Sequence, residues 1–266
     1  MSMLSSLNLA ALVSLIPAAL LPFRTQNQRD SWFWAVLALA VLGPLLWSVS
    51  LFSENWSAGL AADLWAGIAA SMILFTGVCL LERQAWRLMP LLSPYLLLLG
   101  LAASLLAGTA ELPLPDNAPG AWLDLHILVS VGVIATLTLA AVAALGSFLQ
   151  SRALKLKKPN RLTRLLPAVA DSERLSERLL AVSELILGLG LATGMATQYL
   201  ESGNFLKLDH KTLLSLLAFA VIGLLLIGRR VCGVRGQMAA RVVLLAYLLI
   251  ILGYFGVKFV HQVLLS

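Results

Sequence analysis

Eight long apolar runs divide this chain, and they leave it little choice of solvent. They cover Leu4–Pro22, Ser31–Phe52, Ala62–Leu81, Pro90–Gly108, Trp122–Gln150, Leu180–Leu200, Lys211–Gly228 and Ala240–Val260. About 20 mostly apolar residues cross a bilayer as a helix, because a helix satisfies its own backbone N–H and C=O groups where no water can. The chain is 60% hydrophobic and 12% charged, against roughly 45–50% and 25% in soluble domains. The fold class expected is therefore all-α: a polytopic membrane helical bundle with eight transmembrane helices. The opening MSMLSSLNLA has no basic segment ahead of its apolar run, so that run reads as a retained helix and not as a cleaved signal. Cys79 and Cys232 lack CxxC spacing, which argues against a thiol relay or zinc knuckle.

Charge sets the expected orientation. Of 19 Lys and Arg, 16 fall in alternate connections or beside them, around Arg24 and Arg29, Arg83 and Arg87, residues 152–178, and residues 229–241. Lys207, Lys211 and Lys258 fall at the other ends of the spans. Positive charge resists translocation, so the basic connections are expected inside and both termini outside. The net charge of +6 then has a membrane explanation, and nucleic acid is excluded as a partner. Membrane lipids are expected against the long inner stretch SRALKLKKPNRLTRLLPAVADSERLSER, where basic residues meet anionic headgroups.

With this topology all three histidines lie at the outer face: His126 in WLDLHILVSVG, His210 at the start of the seventh span, and His261 beyond the eighth. Imidazole is a common ligand of metals and of haem iron. For His126 the other reading is an interfacial residue beside Trp122. For His210 it is a first-turn residue after Asp209, a good helix cap, and for His261 a terminal one. Asp124, two residues before His126, does not share its helix face. Glu184 lies within the sixth span, where a carboxylate is costly, and reads as an interface residue satisfied by the basic inner connection. GLGLATG, Gly188 to Gly194, lacks the strand that a dinucleotide loop requires. Gly190 and Gly194 instead form a small-xxx-small pair that admits another helix.

Several stretches together resemble a known family. WLDLHILVSVG is similar to the WLxxHV helix opening of the cytochrome c assembly family, membrane haem-handling proteins of the CcsA and CcmC type. GLGLATG resembles that family's TLGLxTG. LDHKT resembles its WDPKE turn, VRGQMAAR its RGRRA-like turn, and Tyr254 to Val257 its YFGV. The likeness covers Trp122 to Val257, with the first four runs alike only in being apolar. It implies that His126 matches the first outer haem ligand, that Asp209 and Lys211 match the charged residues of WDPKE, and that Arg229 matches the arginine closing the next helix. The family's tryptophan-rich segment is missing, His210 replaces the proline of WDPKE, and Ile227 stands where the family has a histidine within the membrane.

The function expected is haem binding and handling in cytochrome c assembly, with non-covalent b-type haem presented at the outer face of a bacterial inner membrane. His126 is the expected axial ligand, His210 or His261 the second, Lys211 or Lys258 the partner of the propionates, and Trp122 part of the cofactor site. Residues 1–108 form an N-terminal four-helix region and residues 109–266 the haem-handling region. Apocytochrome c or other assembly proteins are the implied partners, and catalysis by the chain is not expected. The alternative is a non-catalytic scaffold working through its glycine-lined faces; a small-molecule transporter ranks behind both.

Overall fold

A computed structural model of the protein describes residues 3–24, 29–54, 59–106, 120–203 and 209–260. Among these there is no strand. The helices are α1 (Met3–Leu20), α2 (Ser31–Glu54), α3 (Leu60–Leu81), α4 (Met89–Leu105), α5 (Gly120–Lys155), α6 (Arg161–Leu165), α7 (Val169–Ser202), α8 (His210–Val231), α9 (Gly236–Ile251) and α10 (Val257–Phe259). A π turn, Leu252–Gly256, joins the last two. Eight helical segments are long and apolar enough to cross a membrane, so the chain is a multi-pass, all-α membrane protein.

The basic connection between the fifth and sixth spans is more ordered than its charge suggests. The fifth helix continues through Arg152 to Lys155, and α7 starts at Val169, well before the apolar run beginning at Leu180. At 36 residues and 1.5 Å each, α5 is about 54 Å long, so it extends past an apolar core of about 30 Å at its basic end. The stretch SERLSER is helical because its serines lie on one face. Ser172, Ser176 and Ser183 are buried while Arg174, Glu177 and Arg178 are exposed. Ser176 Oγ donates to the Ala140 carbonyl at 3.0 Å, which ties α7 to α5. Between the two long helices, Asn160 caps α6 by accepting from the Thr163 N–H at 2.8 Å.

Helix α5 is the central post: every residue from Val133 to Ala144 is buried. One apolar cluster contains Leu15, Phe33, Trp65 and Leu92 from the first four spans together with Leu137, Leu180, Ile222 and Val243 from the last four. Small residues set the close approaches. A Cβ on Gly43 of α2 would lie 2.0 Å from Ser14 Oγ of α1, and one on Gly100 of α4 would lie 3.2 Å from the Trp65 ring of α3. A chain of hydroxyls crosses the bundle, with Tyr95 of α4 bonded to Tyr247 of α9 and Tyr247 to Thr138 of α5 at 3.1 Å.

Candidate functional site

At the end of the bundle away from the basic connections, α5, α7, α8 and the π turn enclose a cavity of about 370 Å³. That lies within the ~300–1,000 Å³ typical of small-molecule sites. Its walls mix apolar and polar side chains, with Val133, Leu187, Leu191, Leu216 and Ile250 on the apolar side. Into this lining the fold brings His126, Thr197, Gln198, Asp209, Lys211 and Tyr254.

His126 is half-buried and held from α7. Its Nδ1 lies 3.1 Å from Thr193 Oγ1, and the same hydroxyl lies 3.0 Å from the Leu189 carbonyl one turn earlier. A threonine hydroxyl has one hydrogen. With that hydrogen given to the helix carbonyl, the oxygen is an acceptor for an Nδ1–H, the tautomer in which Nε2 carries the lone pair that a metal would need. The neighbouring glycine makes room for the ring, since a Cβ on Gly194 would lie 3.1 Å from His126 Cε1. Gly190 takes Val129 of α5 in the same way, its added Cβ falling 3.4 Å from the valine. The small-xxx-small pair thus admits a helix as expected. The helix is α5, and the residue seated at Gly194 is the candidate ligand.

The first turn of α8 supplies the cation. Asp209 caps the helix, accepting from the Thr212 N–H at 2.8 Å, and Lys211 follows. Its Nζ stands 5.3 Å from the centre of the Tyr254 ring, a cation–π contact. Lys258 Nζ is 5.4 Å from the same ring and forms an ion pair with Asp63 of α3. Tyr254 is presented by the π turn, a distortion often found at functional sites.

The other expected site residues are placed differently. His210 is exposed and is not among the described residues of the cavity lining. Trp122 is 44% exposed and also stands outside the lining. His261 falls outside the described residues, as do Lys207 and the proline-containing connection 107–119. Among the described residues no group of three or more His, Cys, Asp and Glu side chains could hold a bare metal ion.

Glu184 is not satisfied from the basic connection: its Oε2 has no hydrogen-bond partner, and a Cβ on Gly223 of α8 would lie 3.0 Å from its Oε1. It is Glu177, two turns nearer the basic end, that meets a cation, Arg229 Nη1 at 3.3 Å. Thr193, Met195 and Tyr254 were not singled out from sequence as site residues, although Thr193 belongs to the quoted GLGLATG and Tyr254 to YFGV. Met195 lines the cavity, one residue beyond the glycine that seats His126.

Comparison with known proteins places this geometry in a family. The model of the cytochrome c assembly protein family matches residues 1–265, so the first four helices carry the family pattern as well, beyond the stretch where motifs are legible. A protein of Azospirillum brasilense, described as an uncharacterized 28.8 kDa protein in a nifR3-like 5′ region, is 51% identical over 264 residues, covering 97% of each chain. No solved structure matches the chain. On the strength of a match running through all eight membrane-crossing segments, the chain belongs to the cytochrome c assembly protein family.

Proposed function

We propose that this protein binds and handles haem during cytochrome c assembly, at the outer face of a bacterial inner membrane, without being an enzyme itself. Membership of the family supports a role in cytochrome c biogenesis. The observation that carries the haem reading is the shared cavity of His126 and Lys211, which sets an imidazole and an ammonium in one lining with aliphatic side chains.

These residues fit haem chemically. His126 would ligate the iron, Lys211 would face a propionate, and the aliphatic side chains would cover the porphyrin. Bound haem would supply the vinyl groups that become thioethers on an apocytochrome's thiols; the protein's part is ligation, orientation and exclusion of water. Met195, whose side chain lines the same cavity, would be a second residue able to hold the iron, since His/Met ligation is a known haem arrangement. His210 is exposed and would have to turn inward.

The scaffold reading loses support because the glycine faces are used internally. Gly188 meets Phe219 of α8, Gly190 meets Val129, and Gly194 meets His126. The deciding experiment is the optical spectrum of protein purified from haem-supplied cells. A Soret band that is lost in His126→Ala and kept in His210→Ala is expected. Lack of a band in the wild type, or an unchanged band in His126→Ala, refutes the proposal.

A further inference from the structure

No described residue of the first four helices lines the outer cavity. Two polar contacts nevertheless run from those helices to its last wall. The Tyr95 hydroxyl of α4 is bonded to that of Tyr247 of α9, and Tyr247 in turn meets Thr138 of α5 at 3.1 Å. Further along the chain, Asp63 of α3 holds Lys258 of α10. Ile250 and Tyr254, the residues that α9 and the π turn give to the cavity, lie between these two contacts.

The spacing gives Tyr247 its leverage. Residues three or four apart share a helix face, so Tyr247 points as Ile250 does, one turn beneath it. On the facing helix, Thr138 likewise follows the lining residue Ile134 by one turn. The hydroxyls thus lie just under the cavity floor on both helices, in a membrane interior with no water to compete for them. Beyond Ile250 the wall is closely fitted. A Cβ on Gly253 would lie 3.1 Å from Leu214 Cβ of α8, and Lys211 Nζ stands 5.3 Å from the centre of the Tyr254 ring. A turn of α9 about its axis would therefore shift Tyr254 against Lys211.

We propose that Tyr95 is a positioning residue for the outer cavity: by bonding Tyr247 it fixes the rotation of α9, and with it the wall made by Ile250 and Tyr254. The N-terminal half thereby shapes a site to which it gives no side chain. This deepens the haem reading and rests on it for the identity of the ligand alone. With His126 on α5 and Lys211 on α8, the wall from α9 would decide how the porphyrin lies between them. The two tyrosine rings also pack edge to face, their centres 6.3 Å apart, so Tyr95→Phe removes the hydroxyl and keeps the packing.

The test is amide hydrogen exchange of the haem-free full chain in detergent, read by mass spectrometry over residues 250–256. Tyr95→Phe is expected to speed exchange there about threefold, the worth of an average hydrogen bond between transmembrane helices. Adding Tyr95→Phe to Tyr247→Phe should bring no further change, since the bond is already lost. Ser104→Ala removes another hydroxyl of α4, bonded to Asn8 of α1 at 2.9 Å, and should leave residues 250–256 as they were. Should Tyr247→Phe fail to fold, Tyr95→Phe decides alone, because Tyr247 keeps Thr138 as its partner. In haem-loaded Tyr95→Phe the absorption maximum, set by His126, should stay while the Soret circular dichroism, set by the surrounding walls, changes. Unchanged exchange in folded Tyr95→Phe overturns the proposal, as does equal acceleration in Ser104→Ala or an unchanged dichroism of bound haem. A wild type that takes up no haem refutes the haem reading and leaves the exchange rates to decide this one.

Discussion

Lys258 of α10 and Asp63 in the first turn of α3 form an ion pair that closes the end of the described chain onto the N-terminal half of the bundle. The pair is largely shielded, with side-chain exposures of 24% and 14%. It also divides the labour of the two lysines near the cavity. Lys258 is occupied by Asp63, so Lys211 is the cation for an anionic ligand. Asp63→Asn is expected to lower stability by about 3 kcal/mol, the cost of leaving one charge of a shielded pair alone. Asp63→Asn/Lys258→Met should recover most of that loss. Unfolding of the four proteins of this cycle in micelles measures the coupling.

Thr193→Val retains the shape of the side chain and removes the acceptor of His126 Nδ1. Haem binding is expected to weaken about tenfold, the lower end of what partners of metal-bound histidines contribute, with the fold intact. Haem titration followed in the Soret region checks it.

Gly194→Ala separates packing from ligation. Alanine is favoured over glycine by about 1 kcal/mol within a helix, so α7 itself gains. The new methyl, however, meets the His126 ring at 3.1 Å. Near-native melting with an altered haem spectrum is the expected outcome; a native spectrum would mean that the ring's seat is not set by this glycine.

Gly43→Ala should cost about 1–3 kcal/mol despite the same helical gain, because its methyl enters the space of Ser14 and overpacks α1 against α2. Ser14→Gly removes both the Oγ and the Cβ that the methyl would meet, and the double variant should return toward wild type. Thermal unfolding in detergent reports both.

Asp30 caps α2, accepting the Phe33 N–H at 2.9 Å beside Arg24. The Phe33 N–H, with the Arg24 charge adding to it, holds this exposed carboxyl below the usual carboxylate range. A depressed folded-state value means that the cap's stabilisation is whole above the unfolded value, near pH 4, and fades as pH falls through the lower folded one. Amide exchange at Phe33, corrected for its intrinsic rate, should rise on acidification in wild type and stay flat in Asp30→Asn, which caps without titrating.

The spans were legible because crossing a bilayer is a local demand that any twenty-residue window either meets or fails. The start of α7 was not, since Ser172 and Ser176 count as polar in composition while packing as small residues against α5. The site was half legible. His126 stands out as a polar residue in an apolar run, but its partner Thr193 is 67 positions away, and Lys258 and Asp63 are 195 apart. No spacing rule links such pairs. His210 and Lys211 show a finer limit: neighbours on a helix point about 100° apart, so the same turn sends Lys211 to the cavity and leaves His210 outside.

The fifth helix contains no proline and is gripped along its middle third, Val133 to Ala144. It therefore runs unbroken from the His126 cavity to Gly146, where it packs beside Ser172, so a change of side chain at either end meets the same rigid rod.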